Sequence, residues 1–499
     1  MSDYDAIVIG AGCGGLTSAV TMAQNGLKVL MLEKHNVPGG CAQSFCRGRF
    51  EFEASLHQLS GVGEESNPGP VRQLLEKMGA LEKVSLLQEN LLYQVKIEGG
   101  EDIAMPADRY GILRELTRHF PEDREEIEVF LRFIYQFTHE RSACVYGHDS
   151  EASPEKYPLF FKYGLRDTQS VLDEYLSNPV LHICFGSYIG YMGLSAGQLP
   201  FGELISTFLA YVEYKPFHFA GGSQALSNAL VSCFTEAGGE VIFNCGVEKI
   251  IIEDGVATGV ITQAGDRYSS SLVISNASTV DTYMHMIDPD EVNTGFIEDI
   301  NSKRLGVSAV TVYLGLDCEA SELGISAPLS FLYGRDTGID DMYGKPHEDA
   351  KVCCLTCYSA IDPGFSPPGT SQIAIIVLQE AEPWLSIPPN EYNDTKYRYA
   401  DSVLRLVEKF FPGLRGHIEE VDVATPITLM RYLGTPGGSI YGFAPQAKDL
   451  KMFDDKKGPI RGLFQAGAWV AGGGYQPSLM SCVAAGTAAT KQFQRERTS

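Results

Sequence analysis

Six residues near the start of the chain, Gly10-Ala11-Gly12-Cys13-Gly14-Gly15, set the narrowest limits on how it can fold. They follow Ile7-Val8-Ile9, an unbroken apolar run that predicts a buried parallel strand. Residues 14–26 then read as a helix, and Val29-Leu30-Met31-Leu32 as a second buried strand that ends at Glu33. In such a unit Gly10 allows the sharp turn, Gly12 lets backbone approach a pyrophosphate, and Gly15 lets the helix pack close on the strand. The helix start turns N–H groups and the positive end of its dipole toward phosphate. Glu33 supplies a carboxylate for ribose hydroxyls. With Ala11, Cys13 and Gly14, these residues are expected to hold a dinucleotide. The competing reading is a glycine-rich turn in an ordinary α/β protein. It leaves the strand before the glycines, the helix after them and the well-placed acid unexplained.

The next segment favours FAD over NAD. After Glu33 the chain runs Lys34-His35-Asn36-Val37-Pro38-Gly39-Gly40-Cys41, then Phe50-Glu51-Phe52-Glu53-Ala54-Ser55-Leu56-His57, where an NAD domain would begin another βαβ unit. Gly39 and Gly40 can bring backbone close to the flavin half, with Cys41 beside it. At the far end, Gly462-Leu463-Phe464-Gln465-Ala466-Gly467 reads as a strand ending in a tight turn. Gly472-Gly473-Gly474-Tyr475-Gln476-Pro477 and a small-residue helix near 478–493 follow. A helix start there can point its positive end at the flavin C2 carbonyl and N1.

With these segments in view, the chain resembles the FAD-dependent phytoene desaturase, carotenoid isomerase and retinol saturase family. The likeness rests on the first glycine motif, on Val37-Pro38-Gly39-Gly40, on Phe217-His218-Phe219-Ala220-Gly221-Gly222-Ser223-Gln224-Ala225-Leu226 and on Leu433-Gly434-Thr435-Pro436-Gly437-Gly438-Ser439-Ile440-Tyr441-Gly442, besides the C-terminal glycines. It spans the whole chain and is more specific for the superfamily than for the reaction. Two departures stand out. Glu53 and Ser55 occupy positions where the family usually has Asp and Gly, and Ala468 stands where many FAD enzymes carry an acid. The resemblance implies an α/β fold: a Rossmann-type FAD-binding domain with an inserted α+β substrate domain. Residues 1–65, 216–285 and 420–499 are assigned to the first, and 66–215 and 286–419 to the second. It also implies cofactor contacts from Lys34, Leu56, the Val247 backbone at the adenine, Gly467, Gln476, Pro477 and Leu479.

The 499 residues are 44% hydrophobic and carry a net charge of −24. That suits two domains with substantial cores. It argues against nucleic acid as a partner, since phosphate contacts need clustered Lys and Arg. It also disfavours firm docking on anionic lipid, though an apolar patch can still give peripheral membrane contact. Twelve cysteines, scattered through expected strands and helices with no signal peptide ahead of the first strand, suggest a reducing cytoplasm. Cys354 and Cys357 form a CxxC beside Cys353 without a second pair or a histidine pair to complete a zinc set, so no metal is expected and buried thiols are the default. Pro179–Leu194, rich in aromatics and broken by three glycines, reads as a helix pair in the second domain, as the wall of a lipid-accepting tunnel, or as both.

Flavin chemistry needs few protein groups, so the substrate is expected to leave an aromatic and apolar signature. The chain has 25 Phe and 24 Tyr. His57, Arg431 and Tyr441 are the candidate catalytic residues, with Tyr432, Tyr475 and Gln476 as neighbours named by the resemblance. A proton from Tyr441 or His57, with hydride from N5, would saturate a C=C bond. Packing roles for these residues stand as equal alternatives, and Arg431 can equally bind a carboxylate or cap a helix. The leading expectation is a FAD-dependent oxidoreductase acting on double bonds of a conjugated polyene or isoprenoid, most like a retinol saturase. Isomerisation or desaturation comes next. A flavin amine oxidase is the next alternative, although Val307–Gly315 lacks the lysine that family places facing N5. A lipid-binding protein of the same fold, without enzyme activity, is the last. No second glycine motif follows another strand. Electrons would therefore pass through a less obvious NAD(P)H site, a quinone or a redox protein.

Overall fold

The computed structural model describes residues 2–147, 149–448 and 458–498. Two sheets organise it. The first runs, in spatial order, Glu240–Ile242, Val29–Leu32, Tyr4–Ile9, Arg267–Ser275, Val256–Thr262 and Val247–Glu253, with Leu463–Gln465 also paired to Arg267–Ser275. Its centre is parallel: Ile7 lies opposite Leu30 on one side and Val273 on the other. Ala6 to Val8 and Val29 to Leu32 are almost fully buried, as an apolar run covered on both faces must be. Helices Cys13–Gln24, Gly222–Glu236 and Tyr475–Thr498 lie along this sheet and share its core.

The second sheet runs Ile418–Ala424, Ser308–Leu316, Ser371–Gln379, Val352–Cys357, Leu329–Tyr333, Leu91–Ile97 and Asp102–Pro106. All nine residues of Ser308–Leu316 are buried, so that strand, second from one edge, is covered on both faces. Helices Arg109–His119, Arg124–Arg141, Pro179–Gly186 and Phe201–Tyr214 pack over the other end of the sheet, around Phe130, Phe133, Phe185 and Phe208. Among the described residues no helix is long and apolar enough to cross a membrane.

Strand pairing redraws the boundaries expected from sequence. Residues 418–424 pair with Ser308–Leu316 in the second sheet, so the segment after 420 does not begin in the first domain. The hairpin Ser44–Arg47 and Phe50–Glu53 also leans on the second sheet. Phe50 packs flat against Gly315, where an added Cβ would meet the ring at 2.5 Å. Conversely, helix Pro70–Met78 buries Val71, Leu74 and Leu75 in the core under the first sheet, and Ile287 and Ile300 join the cluster on its other face. Side-chain burial across sequence-distant segments decides these memberships, and local pattern does not carry that information.

Candidate functional site

The C-terminal edge of the first sheet is built for close backbone approach. Gly10 adopts φ +89°, and a Cβ on Gly15 would lie 2.0 Å from the Gly10 carbonyl oxygen. A Cβ on Gly12 would sit 2.7 Å from Asn276 Nδ2. The helix that follows has no side-chain cap and no acid in its first turn, the condition in which a helix start favours an anion. Glu33 is buried and ties the turn together: Oε2 accepts from the Ala11 N–H at 2.6 Å and Oε1 from the His35 N–H at 2.8 Å. A carboxylate has about four lone-pair sites, so capacity remains for two hydroxyls. Strand Glu240–Ile242 runs beside this corner, and the Cys245 N–H donates to the Glu33 carbonyl at 2.8 Å, which brings buried Val247 to the same side.

The Pro38–Cys41 loop lies directly over the glycine turn. The Gly39 N–H donates to the Ala11 carbonyl at 2.8 Å, and a Cβ on Gly40 would come within 3.3 Å of Gly12 Cα. Gly39 has φ +128° and no room for a side chain, since a Cβ would fall 2.0 Å from the Ala42 carbonyl oxygen. Helix Gly222–Glu236 holds the loop through Ser227 Oγ, which donates to that carbonyl at 2.6 Å. Cys41 is exposed at the end of this loop, and desolvation by the surrounding protein pushes its thiol up to about 11. These glycines and the uncapped helix make a cradle that fits a dinucleotide.

Glu53 explains the departure noted in the sequence. It is fully buried and accepts from the N–H groups of Ser55, Leu56 and Ser223 and from Ser223 Oγ, between 2.6 and 3.0 Å. It clamps the turn before His57 onto the start of helix Gly222–Glu236. Ser55 Oγ sits 2.9 Å from the Tyr475 hydroxyl and donates to the Cys41 carbonyl at 2.7 Å, so the start of the last helix joins the same groove.

An internal cavity of ≈ 50 Å³ lies against the second sheet, walled by His57, Tyr191, Phe331, Cys354, Ile376 and Tyr441 among others, with no acid, lysine or arginine in its lining. Within Pro179–Leu194, Leu181, Ile183 and Phe185 fill the core, while Gly190 and Tyr191 line the cavity. His57 Nδ1 lies 2.9 Å from Thr356 Oγ1 and 3.4 Å from the Tyr358 hydroxyl, and its ring stacks near Tyr191. Burial lowers its imidazole to about 4. The Tyr441 hydroxyl donates to the Gly190 carbonyl at 3.4 Å, and burial raises it well above the usual phenol range. Its ring rests on Gly473, where a Cβ would overlap it at 2.4 Å. Tyr441 therefore stands between the glycine stretch before the last helix and the cavity.

Other expected residues fall elsewhere. Arg431 is exposed on helix Pro426–Leu433 with its guanidinium over the Tyr432 ring, and neither lines the cavity. That helix buries only Pro426, which leaves its last turn facing outward. Leu479 is a packing residue of the first core. Lys34 is exposed, Leu56 is buried with its N–H on Glu53, and Pro477 is exposed in the first turn of the last helix. Gln476 Oε1 accepts from Ser60 Oγ at 2.8 Å, beside Gly61. Gly467 has φ +90°, and a Cβ there would meet Asn276 Oδ1 at 2.5 Å. Asn276, Thr356, Tyr358 and His218 were not singled out from sequence. Only the fold brings these four to the site.

The NAD(P)-binding Rossmann-like domain model matches residues 8–77. All-trans-retinol 13,14-reductase of Danio rerio is 27% identical over 480 residues, 88% of this chain and 77% of the relative. Prolycopene isomerase 2 of an Oncidium hybrid cultivar, a chloroplastic protein, is 25% identical over 488 residues, 93% and 80% of the two chains. Among solved structures, an oxidoreductase from Methanosarcina mazei superposes with a TM-score of 0.68 at 17% identity, covering 98% of this chain and 100% of its own. Putrescine oxidase with putrescine bound gives 0.66 at 14% identity, covering 99% of each chain. The family resemblance read from the sequence is thus borne out. The fold is that of these two-domain oxidoreductases, with a Rossmann-like dinucleotide-binding segment at residues 8–77.

Proposed function

We propose that the chain is a FAD-dependent oxidoreductase acting on carbon–carbon double bonds of a hydrophobic, conjugated polyene or isoprenoid, with saturation of one double bond as the leading reaction. The observation that carries this reading is the cavity wall. It is aromatic, aliphatic and thiol-lined, without a carboxylate to receive a cationic amine. Its titratable side chains, His57, Tyr191, Tyr441, Cys353 and Cys354, are all held neutral by burial. A neutral, flat hydrocarbon suits such a wall, since apolar burial needs no polar partner.

Gly10, Gly12, Gly14 and Gly15 would hold the pyrophosphate, Glu33 the ribose and the Val247 backbone the adenine. Gly39, Gly40, Cys41 and Gln476 would border the flavin. Bound there, FAD supplies two-electron hydride exchange. The chain's own work is to exclude water, seat one double-bond segment of the polyene against Tyr191, Phe331 and Ile376, and hold a proton at the Tyr441 hydroxyl or the His57 ring. Cis–trans isomerisation is the second reading, favoured by the similarity to prolycopene isomerase over nearly the whole chain.

The test incubates anaerobically reduced, FAD-loaded protein with all-trans-retinol and reads product mass. A gain of two hydrogens supports saturation. Unchanged mass with a new retention time supports isomerisation. Protein that stays colourless with added FAD overturns the flavin reading, and a yellow protein that leaves polyenes untouched overturns the substrate class.

A further inference from the structure

Strands Ser308–Leu316 and Ile418–Ala424 are neighbours in the second sheet, and a polar cluster sits where they meet. Leu316 lies opposite Ile418, so Asp317 and Cys318, which follow the first strand, come up against His417, which precedes the second. The Asp317 N–H donates to the His417 carbonyl at 3.0 Å and holds the two backbones side by side. Asp317, Cys318 and His417 there offer a carboxylate oxygen, a thiol sulfur and a ring nitrogen that all lie within 4.8 Å of one another. None of the three lines the cavity. No sequence spacing announces the set, because only the sheet brings its two halves together.

The three donors are held differently. Cys318 is 6% exposed and packs in the core of the second sheet, so its sulfur has a fixed place. The Asp317 and His417 side chains are about half exposed and free to turn. His417 Nδ1 already lies 2.9 Å from Asp317 Oδ1. A tetrahedral ion with bonds of about 2.0–2.3 Å holds its ligand atoms about 3.3–3.6 Å apart, so side-chain shifts of about an ångström would seat one here. The surrounding charge favours a cation. The Glu322 carboxylate stands near the Cys318 thiol. Arg49, the cation that faces Asp317, is engaged by both carboxylate oxygens of Glu419 at 2.8 and 2.6 Å. A plain surface ion pair would account for Asp317 and His417 but not for the thiol beside them. Sulfur, imidazole and carboxylate together are the donors that zinc takes.

We propose that Asp317, Cys318 and His417 bind one divalent cation of the zinc type, with water in the fourth position. On binding, the Cys318 thiol gives its proton to water and its sulfur bonds to the metal, so affinity rises with pH. The ion fastens the end of Ser308–Leu316 to the start of Ile418–Ala424 and stabilises the folded chain by mass action. The inference is independent of the flavin reading, since neither the site nor its test involves the cofactor groove.

The test titrates chelator-treated protein with Co²⁺, whose absorption reports both geometry and ligand type. Wild type is expected to bind one Co²⁺ per chain, with the visible bands of a tetrahedral ion and a near-ultraviolet thiolate-to-cobalt band, all bleached by added Zn²⁺. Cys318→Ser should lose the thiolate band. His417→Gln, at a half-exposed position, reports if the cysteine variant does not fold, and should bind at least about tenfold more weakly. Zn²⁺ should raise the melting temperature of wild type and leave that of His417→Gln unmoved. Wild type without cobalt bands overturns the proposal and leaves an ordinary ion pair beside a core cysteine. So do bands that persist unchanged in His417→Gln, which would place the ion on other cysteines, and so does an equal rise in melting temperature in that variant.

Discussion

At the residue scale the site works through groups kept neutral where charge would otherwise be expected. Burial holds His57 at about 4 and His218 at about 3, against an ordinary value of 6.5. A depressed histidine stabilises the fold above its unfolded value, and that contribution is lost as pH falls toward the folded value. The FAD-free protein should therefore lose stability between roughly pH 6.5 and 4, at up to about 1.4 kcal/mol per pH unit per histidine. Urea midpoints at pH 7, 6 and 5 measure this, and His218→Phe should show the shallower decline. An equal slope in the variant would mean that His218 is not neutral and dry. Tyr441 makes a different prediction. Its hydroxyl stays protonated at every working pH, so Tyr441→Phe removes a donor without changing the cavity's shape. Turnover of a retinoid should fall by about a hundredfold while the bound flavin spectrum holds. Unchanged turnover would leave His57 as the donor.

At the element scale two helix starts converge on one groove. Helix Cys13–Gln24 presents its uncapped end at the glycine turn, and the start of Tyr475–Thr498 reaches Ser55 and, through it, the Cys41 carbonyl. The two helices pack closely further along, where a Cβ on Gly486 would lie 2.9 Å from the Ser18 carbonyl oxygen. Neither backbone can yield there without moving its helix. Gly486→Val should therefore cost about 1–3 kcal/mol by overpacking. It should also weaken FAD binding by about tenfold or more, because separating the helices widens the cradle at both ends. Thermal melts and a fluorescence titration with FAD check both parts. A melt shift with unchanged affinity would confine the effect to the core.

At the scale of the whole molecule, the groove is bordered by segments from residues 10–15, 33, 39–41, 53–57 and 475–476, drawn from both ends of the chain. The cofactor would be bound by the folded chain and not by the unfolded one, so it stabilises by mass action. Saturating FAD at a hundred times its Kd should add about 2.7 kcal/mol and raise the melting temperature by a few degrees, read by calorimetry with and without FAD. No rise would count against FAD as a ligand of this groove.

The dinucleotide half of the protein was legible in the sequence because it depends on local requirements. A glycine is needed where φ is positive or a Cβ has no room, an apolar run where a parallel strand is covered on both faces, and a carboxylate at the end of the second strand. Gly10, Gly12, Gly15, Gly39 and Glu33 meet those demands within a few dozen residues. The substrate half was not, since its wall joins His57, Tyr191, Phe331, Cys354, Ile376 and Tyr441, which no spacing relates. Arg431 shows the limit: its sequence neighbourhood matched the resembled pattern, but an outward-facing last helical turn leaves it on the surface. His218 shows the converse, an unremarked residue of a short motif whose two unmet nitrogens become visible only once the chain is closed around it. Sequence by itself determined where backbone must bend and approach a cofactor, because those are properties of single residues. Tertiary structure alone decided which side chains share a cavity and which lose water, because desolvation is a property of everything packed around a group.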